Sequence, residues 1–268
     1  KNYDLGTEKI GRLVRHFSVP CVISMLVAAL YNIVDQIFIG WSPAGAFGNA
    51  ATNIVYPFTV LALGLSLLVG DGAAANFSLE SGRKNKDRAD GSPKYAMACT
   101  LAGAIANLIL DPLFIFSFNM GVKGAAIATV IGQALTFVMS MTYLFRAKNF
   151  KINKKSVHLE ASILSRIVSI GMASLIVQLS IVVIIAVNNN LLSKYGYETF
   201  ASTGVVFGSV IPLAVVGIVM KVFGIVVSIV IGISLGGQPI IGFNMGAGNM
   251  ERVKETISTI TKIVLAIG

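Results

Sequence analysis

Six long apolar segments limit what this chain can fold into. They cover approximately residues 17–40, 54–77, 95–118, 124–145, 163–192 and 213–241. A helix needs roughly 20 mainly apolar residues to cross a hydrocarbon core about 30 Å thick, and lipid offers no partner for unpaired backbone amides. Charged residues are 12% of the chain, about half their usual share in a soluble domain. The sequence therefore predicts an all-α, polytopic membrane bundle with about six transmembrane helices.

The last part of the chain is predicted to hold a turn and then part of a seventh helix. The run Gly236-Gly237-Gln238-Pro239 is expected to break the sixth helix, and residues 242–249 are expected to form a turn into a basic segment. A seventh apolar segment begins near Thr256 and stops at Gly268 with too few apolar residues to span a membrane. We expect a truncated seventh helix there.

The positions of the basic residues predict an orientation. The formal net charge of +9 would also suit a nucleic-acid partner. Most Lys and Arg, however, lie in alternate loops, at residues 1–15, 83–94, 146–166 and 252–254, whereas the opposite loops hold only Lys123 and Lys194. Basic residues of short loops stay on the cytoplasmic side. This pattern predicts a multi-pass protein of the inner (plasma) membrane with a cytoplasmic N-terminus and lipid, not nucleic acid, as its partner.

Acidic residues inside apolar segments are costly, and they mark candidate functional sites. Asp35 lies late in the first segment, where apolar neighbours disfavour the ionised carboxylate and favour proton binding near neutral pH. Asn107 and Asp111 share one helical face in the third segment, directly before Pro112. Thr129 adds a hydroxyl on the fourth segment. These four residues predict a site for H⁺ or Na⁺.

A structural explanation of the same acids stays open. Asp111 would then only end a helix near the outer interface, and Asp35 would pair locally with Gln36. Tyr31, Gln36 and Lys221 are candidates for lining a substrate cavity, although Lys221 has an alternative, in which its ammonium group extends to the interface.

The sequence contains no motif for a disulfide framework, a metal site, a catalytic nucleophile or a phosphate-binding loop. Cys21 and Cys99 lie inside apolar segments, which favours packing over a disulfide framework. His16 and His158 belong to no metal-binding pattern, and the chain has neither a nucleophile elbow nor a phosphate-binding loop. We therefore predict that the chain is not an enzyme and binds no metal or organic cofactor. The one bound ion that we expect is the coupling ion, H⁺ or Na⁺.

The motifs around these residues resemble the multidrug and toxic compound extrusion (MATE) family. The resemblance covers nearly the whole chain, and its motifs are residues 24–26 with 31–35, 107–114, 121–129 and 237–244. It implies H⁺-coupled or Na⁺-coupled antiport, in which small amphipathic organic compounds are exported by alternating access between two helical bundles. Asp35, Asn107, Asp111 and Thr129 match positions where the family places its N-terminal cation site.

The chain also departs from the family pattern. The family has about twelve spans, and its third and fourth helices are missing here, with the flanking segments fused around residues 88–93. The resemblance thus implies an N-terminal bundle at 1–148 (family helices 1, 2, 5 and 6) and a partial C-terminal bundle at 149–268 (helices 7, 8 and the start of 9). Two other functions stay open on this basis: a flippase for a lipid-linked precursor, or a remnant without transport activity.

A weak internal repeat supports a plan of two related halves. Residues near the end of the second segment recur after the sixth, each 166 positions later: Phe77, Gly82, Lys86 and Arg88 match Phe243, Gly248, Arg252 and Lys254. Internal repeats are common among secondary transporters. Chance matches in an apolar sequence of low complexity are the alternative.

Overall fold

The computed structural model describes residues 4–43, 45–83, 93–146, 160–201 and 210–267. Its described part contains helices and no strands. In chain order the helices are α1 (Ile10–Trp41), α2 (Gly45–Arg83), α3 (Pro93–Pro112) with a π-helical continuation (Leu113–Ser117), α4 (Val122–Arg146), α5 (Ala161–Ala201), α6 (Val210–Gly246) and α7 (Met250–Ile267).

The predicted all-α membrane bundle is confirmed. Helices α1 to α6 each contain a stretch that is long and apolar enough to cross a membrane. A seventh helix is also present, and it begins at Met250 rather than near Thr256. Val253 and Thr256 form its buried face, while charged side chains such as Glu251 and Lys254 are exposed.

The predicted helix break at Gly236–Pro239 is wrong, since α6 continues through these residues to Gly246. Gly236 packs against Ser18 of α1, and Gly237 meets the side chain of Ile260. Tertiary packing therefore overrides the low helix propensity of these residues, as is common in membrane helices. The turn is shorter than expected, because only Ala247–Asn249 separates α6 from α7, with Gly248 in the left-handed conformation at a φ of 79°.

Two glycine-rich contacts hold the helices together. In the first, which we call the α1/α6 seam, Val22 and Ser18 of α1 meet Gly232 and Gly236 of α6. In the second, the α2/α5 seam, Leu68 and Gly72 of α2 meet Gly171 and Ile167 of α5. A methyl group on any of these glycines would overlap backbone atoms of the facing helix. The backbones can approach this closely because glycine has no side chain.

The two seams are related by an internal two-fold pattern. Adding 149 to Ser18 and Val22 of α1 gives Ile167 and Gly171 of α5, and adding 164 to Leu68 and Gly72 of α2 gives Gly232 and Gly236 of α6. Each contact of one seam thereby maps onto a contact of the other. The chain therefore contains two structurally related helix pairs, α1–α2 and α5–α6.

The predicted repeat pairs the correct helices, but its register is wrong by two residues. Gly82 meets the carbonyl of Phe243, and Gly246 meets the carbonyl of Leu79, a reciprocal contact with the 164-residue spacing. Leu79, not Phe77, is therefore the counterpart of Phe243. Burial agrees, since the exposed fraction is 52% for Phe77 and 3% for Phe243. Lys86 and Arg88 lie outside the described residues.

Both seams lie towards one end of the bundle, where α1 begins and where α2 and α6 end. We call this the basic end. The segment before α1 adds to it, because Asn244 donates to the carbonyl of Leu5 (3.0 Å) and Arg252 donates to the carbonyl of Glu8 (2.6 Å). Leu5 is buried with Phe17 and Phe243 in an apolar cluster. These contacts join the predicted bundles 1–148 and 149–268, and the boundary between them stays a prediction.

Candidate functional site

The candidate site lies where α3 crosses α4 at short distance. Gly103 faces the carbonyl of Gly132, and Gly124 faces the backbone of Phe114. Ala125 and Ala128 of α4 are buried in this contact. Small residues thus bring the two backbones together. Polar side chains on facing positions are then within hydrogen-bonding distance.

Asn107 connects the polar groups of the two helices. Its Nδ2 donates to Asp111 Oδ1 (3.2 Å) along α3 and to Thr129 Oγ1 (3.3 Å) across to α4. Thr129 Oγ1 in turn donates to the carbonyl of Ala125 (3.0 Å). Asn107 and Asp111 are buried, with exposed fractions of 2% and 1%. The predicted helical spacing therefore places three of the four site residues in one hydrogen-bonded group.

Asp35 approaches this group from α1. Its carboxylate interacts electrostatically with Asp111, and the Tyr31 ring one turn earlier interacts with both acids. The second half of α1 packs here, with Ile39 buried against Ile115 and Ala125. Asp35 and Asp111, on different helices, consequently face a common region.

In the group formed by Asn107, Asp111 and Thr129, two oxygen atoms have no hydrogen-bond donor among the described residues. They are Asn107 Oδ1 and Asp111 Oδ2, and both are fully shielded. Buried polar atoms are rarely left without a partner. Together with the Thr129 hydroxyl, they supply the carboxylate, carbonyl and hydroxyl oxygens that a proton or a hard monovalent cation prefers.

A π-helical segment follows directly after Asp111. Pro112 ends the regular part of α3, and Leu113–Ser117 continues as a π-helix in which the amide of Phe118 donates to the carbonyl of Leu113 (3.0 Å). Proline removes a backbone donor and disturbs the helix, and π-helical turns frequently lie at functional sites. The backbone directly after Asp111 is therefore irregular.

The structural explanation of the two acids stays open for Asp35, and for Asp111 the structure adds its burial. Asp111 is buried inside the bundle rather than placed at an exposed helix end. The Gln36 amide donates to Thr52 Oγ1 of α2 (2.8 Å). Gln36 therefore bridges α1 and α2. Lys221 lies in α6, but its side chain is outside the described part of the structure.

A third intramembrane acid, Asp71 of α2, was missed. Its signal was an aspartate in Leu68-Val69-Gly70-Asp71-Gly72, within the second apolar segment. Asp71 Oδ2 accepts a hydrogen bond from Ser174 of α5 (2.8 Å), and its backbone carbonyl accepts one from Gln238 of α6 (3.4 Å). It thus lies in the α2/α5 seam, away from the group around Asn107.

Comparisons with known proteins agree with this architecture. The MatE family model matches residues 185–268. The chain is 22% identical to the multidrug export protein MepA of Staphylococcus aureus, covering 99% of this chain and 70% of MepA, and 23% identical to MepA of Staphylococcus haemolyticus, covering 97% and 70%. The S. aureus alignment is 336 positions long, whereas this chain has 268 residues. MepA therefore has residues without a counterpart here, as expected if helices are missing.

Solved structures show the same fold. An outward-facing MATE family multidrug resistance transporter of the MOP superfamily superposes with a TM-score of 0.83 at 19% identity, covering 100% of this chain and 72% of that one. A MOP superfamily transporter from Pyrococcus furiosus gives 0.80 at 18% identity, covering 100% and 72%. The fold is therefore a multi-pass membrane bundle like that of these two transporters. The chain is therefore similar in sequence to MATE proteins and shares the fold of the solved ones.

Proposed function

We propose that this protein is a cation-coupled MATE exporter of amphipathic organic compounds, and that Asp35, Asn107, Asp111 and Thr129 form its coupling-ion site. The observation that carries this proposal is the buried group in which Asn107 links Asp111 to Thr129 while Asp35 faces Asp111. In such a low-dielectric setting two nearby carboxylates repel each other strongly unless a positive ion lies between them or a proton neutralises one. Binding H⁺ or Na⁺ removes that repulsion.

The positions of the site and the seams support a coupling mechanism. The group around Asn107 lies near the end of α1 that is far from the seams, whereas Ser18 and Val22, in the first half of α1, form the α1/α6 seam. The helices are therefore closed at the basic end. If this end is cytoplasmic, a cation enters the site from outside and α1 adjusts as Asp35 is neutralised. Substrate release to the outside accompanies that uptake.

Tyr31 is the proposed contact for the organic substrate beside the cation site. It is an aromatic residue of α1 in the same electrostatic environment as the two acids. An aromatic face next to carboxylates suits a small, amphipathic organic cation. Competition between this cation and H⁺ or Na⁺ for the same acids would then couple their movements. The protein would act in the plasma membrane with lipid around it and a cytoplasmic N-terminus.

The proposal is tested by ion binding before transport. Proton release from the detergent-solubilised chain on Na⁺ or drug addition is measured for the wild type, Asp111→Asn and Asp35→Asn. Both variants keep side-chain shape and remove one proton acceptor, so we expect proton release to fall below that of the wild type. Asp4→Asn is the matched control, because Asp4 lies outside the spans and bonds to Thr7 and Gly6. Unchanged release in both intramembrane variants would refute the site.

Flux in liposomes distinguishes the exporter from a remnant. An imposed proton or sodium gradient should drive export of a fluorescent organic cation by the wild type and not by Asp111→Asn. The ion that drives it identifies the coupling ion. Ion binding without any flux would support a remnant that retains the site. The flippase alternative depends on Lys221, whose side chain lies outside the described part of the structure.

A further inference from the structure

A cavity of about 290 Å³ opens between α2 and α5 at the basic end. Its lining residues come from the last turns of α2 and the first turns of α5, and they are Asn76, Glu80, Ser162, Ile163 and Arg166. The cavity therefore lies between the two related halves of the protein, beside the α2/α5 seam. It shares no residue with the proposed cation site.

An ion-paired group at this cavity has a net charge of +1, from two guanidinium groups and one carboxylate. Glu80 Oε1 accepts a hydrogen bond from Arg166 of α5 (2.8 Å) and another from Arg83 of α2 (2.8 Å). Each guanidinium has further N–H donors, which suit the oxygen atoms of a phosphate group. Glu160, which precedes α5, does not line the cavity.

The cavity also offers a hydrogen-bond acceptor that has no donor among the described residues. This acceptor is Asn76 Oδ1, which is shielded by the surrounding atoms. Buried polar atoms are rarely left without a partner. The hydroxyl of Ser162 can donate or accept on the other side of the cavity. A ligand that fits must therefore bring hydrogen-bond donors as well as negatively charged oxygen atoms.

The two-fold pattern shows what fills the equivalent place in the other half. The spacings of 164 and 149 map the five lining residues, in the order given above, onto Ile240, Asn244, Leu13, Val14 and Phe17. All five counterparts are buried, and the segment around Leu5 packs on them. Ser162, Ile163 and Arg166 are instead exposed. The place that a chain segment covers beside the α1/α6 seam is thus covered by no described residue beside the α2/α5 seam.

The lining decides what kind of ligand fits. Asn76 and Arg166 stand where the other half has Ile240 and Phe17, so polar groups replace apolar ones. Apolar side chains lie at the margin, because Ile163 and its neighbour across the seam, Phe77, are both exposed. Lipid headgroups lie at the ends of membrane-spanning helices, and basic pockets between such helices bind anionic headgroups. A charged headgroup with attached acyl chains matches both parts of this surface.

We propose that this cavity binds the headgroup of an anionic phospholipid that carries hydroxyl groups, as phosphatidylglycerol does. The phosphate pairs with Arg83 and Arg166, and a glycerol hydroxyl donates to Asn76 Oδ1. The acyl chains extend along Phe77 and Ile163. The lipid thereby joins α2 to α5, as the segment around Leu5 joins α1 to α6. The inference goes beyond the proposed function and does not depend on ion coupling.

Native mass spectrometry of the detergent-solubilised chain tests this assignment. Phosphatidylglycerol and phosphatidylcholine with identical acyl chains are titrated separately, and the dissociation constant of the first lipid adduct is measured. We expect phosphatidylglycerol to bind at least about five-fold more tightly, because phosphatidylcholine has neither a net charge nor a hydrogen-bond donor. Equal affinities of the two lipids would overturn the proposal.

Two arginines separate a defined site from general attraction to a basic surface. Arg166→Gln removes a guanidinium that lines the cavity, whereas Arg12→Gln removes one of similar exposure from an ion pair with Glu8. We expect the affinity for phosphatidylglycerol to fall at least about five-fold in Arg166→Gln and less than about two-fold in Arg12→Gln. Equal losses in the two variants would show attraction without a site, which overturns the proposal.

Two further variants copy the other half of the protein into the cavity. Asn76→Ile and Ser162→Leu introduce the side chains of the counterparts Ile240 and Leu13. Both should fill the cavity and weaken phosphatidylglycerol binding at least about five-fold, with the affinity for phosphatidylcholine unchanged. Unchanged phosphatidylglycerol affinity in both would place the lipid elsewhere and overturn the proposal. If neither variant folds, the arginine comparison still decides the question.

A soluble phosphate ester distinguishes a lipid from a free ligand of the same chemistry. sn-Glycerol 3-phosphate carries the phosphate and hydroxyl groups of the headgroup without acyl chains. We expect the lipid to bind at least about ten-fold more tightly than this compound, because burying the acyl chains on Phe77 and Ile163 adds to its affinity. Binding of sn-glycerol 3-phosphate that equals lipid binding and is lost in Arg166→Gln would assign the cavity to a free phosphate ester and overturn the lipid assignment.

Discussion

Replacing Gly72 by alanine tests the claim that the seams depend on direct backbone contact. The new methyl group would overlap the carbonyl oxygen of Ile167 on α5. A backbone oxygen cannot move away by a change of rotamer, so α2 and α5 must separate. Overpacking of this kind costs about 1–3 kcal/mol.

Gly70 is the matched control for this change. It lies on the same helix two residues away, and an added methyl group there meets no atom within 4 Å. Both substitutions gain about 1 kcal/mol of helix propensity, which cancels when the variants are compared. The free energy of unfolding of Gly72→Ala should therefore be about 1–3 kcal/mol below that of Gly70→Ala.

Reversible unfolding with sodium dodecyl sulfate in mixed micelles, followed by circular dichroism, provides the measurement. Spin labels across α2 and α5 would report the separation directly. Unfolding free energies of the two variants that agree within about 0.5 kcal/mol would refute the reasoning. The helices would then be held by contacts other than the glycine seam.

Three further predictions concern polar contacts. Asn107→Ala should lower the free energy of unfolding by about 1–3 kcal/mol, because it leaves the buried Asp111 without its amide donor; the same unfolding assay measures this, and no change would contradict it. Glu80→Gln should cost less than about 1 kcal/mol, since its ion pair with Arg166 is partly exposed, and a loss above about 2 kcal/mol would show that this pair is essential. Asn244→Leu should release the segment around Leu5, seen as faster amide hydrogen exchange at residues 5–8, and unchanged protection would contradict the assigned hydrogen bond.

The fold class could be predicted because each membrane span satisfies its own hydrogen bonds and is recorded locally in hydropathy. The grouping of Asn107 with Asp111 was also predictable, since a spacing of four residues places both on one helical face. Their contact with Thr129 depended on the small residues of α4, which the sequence displays as Gly124-Ala125-Ala126.

The seams could not be predicted because their information is divided between distant segments. Gly236 and Pro239 suggested a helix break, yet α1 packs on this stretch and stabilises the helix. The contact between Asp71 and α5 was hidden for a related reason. Its partner Ser174 is 103 residues away, and no local pattern in an apolar helix identifies one serine among several.

The two seams show how the halves of such a protein can diverge in sequence and still fit together. Each contact needs a recess on one helix and a protruding backbone on the other, but either helix can supply the recess. It is Gly232 of α6 opposite Val22 in one seam and Gly171 of α5 opposite Leu68 in its counterpart. The relation between the two halves is therefore visible in the positions of their helix contacts. It is not visible as identical residues at equivalent positions.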